Sequence, residues 1–316
     1  MTFRPTRREW LALGSVAVLS SKAAARSIET NRADQTFRYC LNTATIRGQK
    51  LPIHKSAELV AKAGYDAIEP WINELDRHVG DGGTLEALGR DIKALGLAVP
   101  SAIGFFEWCV DDEDRRRKAL DEAKRTFEMI KAIGGKRLAA PPVGATDRSD
   151  IEPARLAERY RALLEIGEPL GIVPELEIWG FSKTLGRLDV AAEVAIAADH
   201  PNACLLADVY HLYKGGSGFG GLRLLSPQAL QVFHVNDYPA DPPRETIKDA
   251  DRDYPGDGVA PLSALYQTLA KNGFDGYLSL ELFNPRYYAQ DPFSVVKTGL
   301  EKLRASVEAS RIPSKA

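Results

Sequence analysis

Residues 171–179 read Gly-Ile-Val-Pro-Glu-Leu-Glu-Ile-Trp. The glycine closes an amphipathic stretch, Ile151 to Pro169, and is the residue that most easily takes the left-handed turn ending a helix. A strand-like run, Val173 to Ile178, then carries two glutamates at i and i+2, on one face of the chain. A helix, a glycine stop, a short apolar strand and a carboxylate near its C-terminal end make one unit, and its repetition decides the fold.

The unit recurs on both sides. Strands are expected at Arg38 to Thr43, Ala67 to Trp71, Ala98 to Ile103, Arg137 to Ala140, Val173 to Ile178, Cys204 to Ala207, Gln231 to Val235 and Tyr277 to Leu282. Helical patterns lie between them, at Ser56 to Ala63, Leu85 to Leu95, Asp114 to Ile133, Ile151 to Pro169, Val190 to Ala198, Pro261 to Lys271 and Pro292 to Ala309. Only a stub, Pro227 to Leu230, separates the sixth strand from the seventh. Glycines stand just before strands at Gly64, Gly96, Gly134-Gly135, Gly171 and Gly273. Eight strands alternating with helices close most economically into a (β/α)₈ TIM barrel, expected here as a single α/β domain over residues 37–310. An open doubly wound sheet would carry a glycine-rich phosphate loop after its first strand. Asn42-Thr43-Ala44-Thr45-Ile46-Arg47 stands there instead.

In such a barrel, chemistry sits where strands end. Four successive strands end on ionisable residues: Glu175-Leu176-Glu177, Leu206-Ala207-Asp208, Phe233-His234-Val235-Asn236-Asp237 and Leu280-Glu281-Leu282. Buried carboxylates are costly unless a cation or several donors compensate them, and one shared metal compensates all at once. Glu177, Asp208, His234 and Glu281 form a mostly oxygen donor set suited to one divalent ion, Mn²⁺, Mg²⁺, Co²⁺ or Zn²⁺, and the donor set does not choose among them. Glu177 is preferred over Glu175 because it lies nearer the strand end; Glu175 is expected deeper in the barrel. His211, three residues past Asp208, is placed to touch a substrate hydroxyl or orient a ligand. Trp71, Trp179, Phe105, Phe106 and Trp108 are candidates for a sugar-lining wall, and Glu69 for a substrate contact or a structural ion pair.

Composition excludes more than it assigns. With 316 residues, 44% apolar and 27% charged, the chain can bury a large core. A net charge of -2 and five histidines give neither the basic surface nor the ligands of a metal-dependent nuclease. Cys40, Cys109 and Cys204 are too few and too far apart for a disulfide framework or a zinc CxxC pair, and are expected to be buried thiols. Residues 1–26 carry Arg4, Arg7 and Arg8, an apolar run from Leu11 to Leu19, and Ala23-Ala24-Ala25. That order is an n-region, an h-region and a cleavage site, and Thr6-Arg7-Arg8-Glu9-Trp10-Leu11 resembles a twin-arginine export signal. Residues 27–36 are then a linker, 311–316 a tail, and the mature protein is periplasmic, with no stable membrane association.

Taken together, the chain resembles the xylose isomerase-like TIM-barrel superfamily of sugar isomerases and epimerases, nearest its inosose isomerase branch. The resemblance rests on LNTAT at 41–45, Asp208-x-x-His211, His234-Val235-Asn236-Asp237, Asp251-Arg252-Asp253-Tyr254-Pro255-Gly256-Asp257-Gly258 and Leu280-Glu281-Leu282-Phe283-Asn284-Pro285-Arg286. It implies a divalent ion, Mn²⁺ first with Zn²⁺, Co²⁺ or Mg²⁺ as alternatives, held by Glu177, Asp208, His234 and Glu281. It also implies that the two glutamates work as acid and base, with His211 and Arg252 near substrate oxygens and Asp237 and Trp179 beside them. A metal on a carbonyl and its neighbouring hydroxyl acidifies the C–H between them. The implied partner is a small keto-sugar or keto-inositol, not nucleic acid, and a homo-oligomer is compatible. Export points instead to a periplasmic 3-keto-glycoside, handled by epimerisation or by elimination. The loop Tyr238 to Asp253 is a candidate lid. A non-catalytic sugar-binding barrel is the rival outside enzymology.

Overall fold

Seven short parallel strands carry the sheet: β1 (Arg38–Asn42), β2 (Ala67–Glu69), β3 (Arg137–Ala140), β4 (Val173–Glu177), β5 (Leu205–Asp208), β6 (Leu230–Val235) and β7 (Tyr277–Leu280). Their order is β2-β1-β7-β6-β5-β4-β3, every neighbouring pair parallel. The computed structural model describes residues 37–312, so the expected export segment and linker lie outside the described residues.

The expected third strand, Ala98 to Ile103, is the one that differs. It forms only isolated parallel bridges, Ala67 to Ala98 and Trp71 to Ile103. Pro100 has no N–H to give a ladder, which interrupts the pairing between those bridges. The segment nevertheless bonds on both sides: the Ile68 N–H reaches the Ala98 carbonyl at 3.0 Å, and the Ala102 N–H reaches the Arg137 carbonyl at 3.1 Å. It therefore links β2 to β3 and completes the TIM barrel.

Helices α1 (Ile53–Ala63), α2 (Ile72–Gly80), α3 (Leu85–Ala94), α4 (Glu113–Ala132), α5 (Pro153–Gly167), α6 (Leu188–Ala197), α7 (Val209–Lys214), α8 (Leu262–Lys271), α9 (Pro285–Tyr288) and α10 (Pro292–Ala309) complete the units. Three of them, α2, α7 and α9, are absent from the periodicity reading; each starts within five residues of a strand's active end, and α7 and α9 are too short to show a period of their own. The glycine stops hold: Gly64 takes φ 95 and closes α1 by donating its N–H to the Ala61 carbonyl at 3.0 Å.

Apolar residues split into two clusters. The larger packs helices against the outside of the strands and takes in Phe106, Trp108 and Cys109. The smaller, Ala44, Trp71, Ile103, Ala139, Leu206 and Val232, fills the inside. Strand alternation puts Glu177, Asp208, His234 and Glu281 on that inner side, above the small cluster. All three cysteines are buried free thiols.

Candidate metal centre and active site

Asp208, the last residue of β5, is also the N-cap of α7: its Oδ1 accepts the His211 N–H at 2.9 Å. The strand-to-helix turn thus fixes the aspartate and the histidine three residues later together. His234 and Glu281 come from β6 and the end of β7. Ligand atoms of Asp208, His234 and Glu281 all lie within 4.8 Å of one another, and all three residues are buried. Glu177 stands outside that triangle but faces the same cavity, which it lines with His211, Arg252 and Glu281. The expected tetrad is therefore three clustered donors with a fourth set apart.

Four buried side-chain atoms here have no hydrogen-bond partner among the described residues, His234 Nδ1, Glu177 Oε2, Glu69 Oε1 and Arg252 Nε, and the first two are on donor residues. His234 Nδ1 lies 3.3 Å from Glu281 Oε2 and 3.8 Å from Asp208 Oδ2. Its other nitrogen, Nε2, is 3.0 Å from Glu69 Oε2. A histidine clamped by a carboxylate at one nitrogen, with the other aimed at two carboxylates, is the arrangement that orients a metal-ligating imidazole. The donor set and the orphaned atoms fit a divalent cation.

Of the two roles expected for Glu69, the structure shows the structural pair and not the substrate contact. Rather than meeting substrate, it is fully buried beneath the donors, and its Oε2 takes Asn42 Nδ2 at 3.0 Å, Ser279 Oγ at 2.7 Å and the His234 ring. Asn42 also donates to Glu281 Oε1 at 3.0 Å, while its Oδ1 accepts from Trp71 Nε1 at 2.8 Å. One asparagine at the end of β1 thus ties the supporting carboxylate to a ligand carboxylate. Periodicity carries no signal for such a role; only the LNTAT resemblance touched it.

Asp237 corrects an expectation. Its carboxylate accepts backbone N–H groups of Tyr238, Gly256 and Ala260, each at 2.9 Å. Its own backbone exchanges hydrogen bonds with Asp253 at 2.8 and 2.9 Å. A Cβ on Gly258 would fall 2.4 Å from Asp237 Oδ1, so only glycine lets the loop close this tightly. Asp237 clamps the two ends of the 238–253 loop and leaves no oxygen for substrate.

That loop delivers Arg252, which is fully buried. Its Nη1 donates to Asp208 Oδ2 at 2.9 Å and Glu281 Oε2 at 2.8 Å, and its Nη2 donates to Asp249 Oδ1 at 2.6 Å. The same Nη2 lies 3.2 Å from His211 Nε2. His211 Nδ1 already accepts the Gly180 N–H at 3.2 Å, so a neutral ring carries its proton on Nε2. Two donors, His211 Nε2–H and Arg252 Nη2, then stand side by side at the cavity, where one substrate oxygen can accept from both.

Charge is divided unevenly between the two glutamates. Burial pushes Glu177 up to about 8, against the pull of His234. Glu281 is equally buried, but His234 and Arg252 outweigh burial and hold it below the ordinary carboxylate range. Burial pushes His211 down to about 3 with help from Arg252, which keeps the ring neutral. Around the roughly 220 Å³ cavity stand Trp71, Phe105, Trp179, Phe181 and Phe283. Trp71 and Phe105 lie 5.2 Å apart between centroids, and Trp179 and Phe181 also 5.2 Å. Of the expected aromatic wall, Phe106 and Trp108 belong to the core instead, the Trp108 Nε1 bonding the Pro141 carbonyl at 2.8 Å. Phe181 and Phe283 take their places.

The sequence pattern of the xylose isomerase-like TIM barrel family matches residues 57–306. An inosose isomerase of Bacillus velezensis is 29% identical over 280 residues, 86% of this chain and 97% of that protein. A fructoselysine 3-epimerase of Escherichia coli O157:H7 is 26% identical, covering 81% of this chain and 94% of its own. The crystal structure of the IOLI protein, with a bound zinc atom, superposes at a TM-score of 0.78 and 25% identity, covering 86% of this chain and 99% of that one.

Proposed function

The chain belongs to the xylose isomerase-like TIM barrel family, and from that premise we propose that it is a divalent-metal-dependent isomerase or epimerase of a small keto-sugar or keto-inositol. The observation that carries this reading is the set of buried donors at four strand ends, with His234 Nδ1 and Glu177 Oε2 unpartnered. Relatives named inosose isomerase and fructoselysine 3-epimerase support the reaction class.

Asp208, His234 and Glu281 would hold the ion, with Glu177 as the fourth donor; the donor set admits both Mn²⁺ and Zn²⁺, and the zinc in IOLI favours Zn²⁺. When bound, such an ion supplies Lewis acidity that weakens a C–H beside a carbonyl. The protein's own groups do the rest. His211 Nε2–H and Arg252 Nη2 hold substrate oxygens, and the aromatic wall excludes water from the reacting carbon. Glu177 and Glu281 both line the cavity and exchange the proton: one takes it from carbon, and the same or the other returns it. Return to the same carbon is epimerisation, and return to its neighbour is isomerisation. A 220 Å³ cavity suits a single six-membered ring.

The test is metal analysis of the purified protein combined with NMR of solvent deuterium entering keto-inositols, ketohexoses and 3-keto-glucosides. Exchange in one class with a stoichiometric divalent ion is expected. Absence of a metal, or of exchange in every class, rejects the proposal, and loss of a glycosidic substituent in place of exchange identifies a lyase. The export reading of residues 1–26 is proposed alongside; fractionation of cells carrying the full chain and its Arg7→Lys/Arg8→Lys variant tests it, with periplasmic activity expected only for the former.

A further inference from the structure

A cavity of about 670 Å³ lies at the opposite end of the barrel from the acidic donors. Arg38, Arg137 and Tyr277, the first residues of β1, β3 and β7, contribute to it. So do α3 and the turn between α4 and β3. Six cationic side chains line it, Arg38, Arg90, Lys93, Lys131, Lys136 and Arg137, against a single acid, Glu86.

Four of the six are unpaired. Arg90, Lys93, Lys131 and Lys136 form no ion pair or side-chain hydrogen bond with any described residue, although Glu86 sits one helical turn from Arg90. Arg137 reaches inward, its Nε 3.3 Å from Glu175 Oε1 and without a hydrogen bond, and its guanidinium donates to no described acceptor. In a chain of net charge -2, cations gathered around one concavity repel one another unless an anion lies among them. The walls between them are apolar: Ile92, Leu97, Val99 and Ile133. The volume is that of a typical organic-ligand pocket.

We propose that this cavity binds an amphipathic organic anion. A phosphate, sulfonate or carboxylate head meets Arg90, Lys93, Lys131, Lys136 and Arg137, and an apolar body of drug-like size lies against Ile92, Leu97, Val99 and Ile133. Because the catalytic groups lie at the other end of the strands, this inference stands whether or not the proposed reaction is correct.

The probe is 8-anilinonaphthalene-1-sulfonate, titrated by fluorescence into the full folded chain, with octyl phosphate and octanol as competitors. Saturable binding that is displaced by octyl phosphate and hardly by octanol is expected. Lys93→Gln/Lys131→Gln changes only exposed side chains and should weaken binding about tenfold, roughly 1.4 kcal/mol. Ala132→Phe narrows the cavity without altering charge and should abolish binding, circular dichroism reporting its fold. Unchanged affinity in the lysine variant, equal displacement by octanol, or no saturable binding at all overturns the proposal. If Ala132→Phe misfolds, the lysine variant alone decides.

Discussion

The two ends of this barrel are made by the same strands and treat charge in opposite ways. Where the strands end, Asn42, Glu69, Asp208, His234, Arg252 and Glu281 are nearly inaccessible, and each is hydrogen-bonded to at least one other of the set. Where the strands begin, the cations come from helices, a turn and the first residues of strands, most are exposed, and four of the six have no partner among the described residues. The first arrangement fixes directions to within a hydrogen bond, as acid–base chemistry requires. The second fixes only a sign of charge, enough for recognition without reaction.

Breaking the reactive end should have the largest effect. Glu281→Gln keeps the shape and removes a carboxylate proposed both to hold the ion and to exchange the proton, so deuterium exchange should fall by about 10³-fold, while thermal unfolding shows an intact fold; full exchange in this variant would refute its role. Glu69→Gln comes next. It loosens the His234 clamp without touching substrate, so metal affinity measured by calorimetry should fall by about 10- to 100-fold. An unchanged affinity would make Glu69 a core residue only. Asp237→Ala should release the loop that carries Arg252, seen as a KM increase of roughly tenfold together with faster proteolysis between residues 238 and 253.

A subtler test lies midway between the two ends. Burial pushes Glu175 up to about 8, while Arg137 pulls the other way. Its folded pKa is above its unfolded one, so the folded chain keeps a proton that the unfolded chain releases, and this site's contribution falls as pH rises from about 4.5 to 8. Glu175→Gln should therefore melt several degrees above the parent at pH 8 and close to it at pH 5. A gap independent of pH would mean that Arg137 already compensates the charge. Smallest of all, Lys93→Gln/Lys131→Gln should leave deuterium exchange unaltered, which separates the two ends functionally.

Much of the reactive end was legible in the chain. The strand and helix rhythm, the glycine stops and the ionisable residues at four successive strand ends all follow local rules, because strand alternation and helix termination act over a few residues. The roles of Glu69 and Asp237 did not follow, since each depends on groups brought in from elsewhere: Ser279 and Asn42 for one, the 256–260 turn for the other. The irregular third strand shows the same boundary from the other side. Its apolar run predicts a strand, and Pro100 breaks the ladder only when neighbours are present to be bonded.

By itself, the sequence determined the barrel, its inner face and the residue types that reach the active end, because these are set by period and by bond geometry along the chain. Tertiary structure alone decided which carboxylate supports and which reacts. It also decided that Glu177 stands apart from the three clustered donors, and that cations from α3, the end of α4 and the first residues of the strands share one cavity. Those outcomes depend on distances between segments far apart in the chain, and burial gives such distances their electrostatic weight.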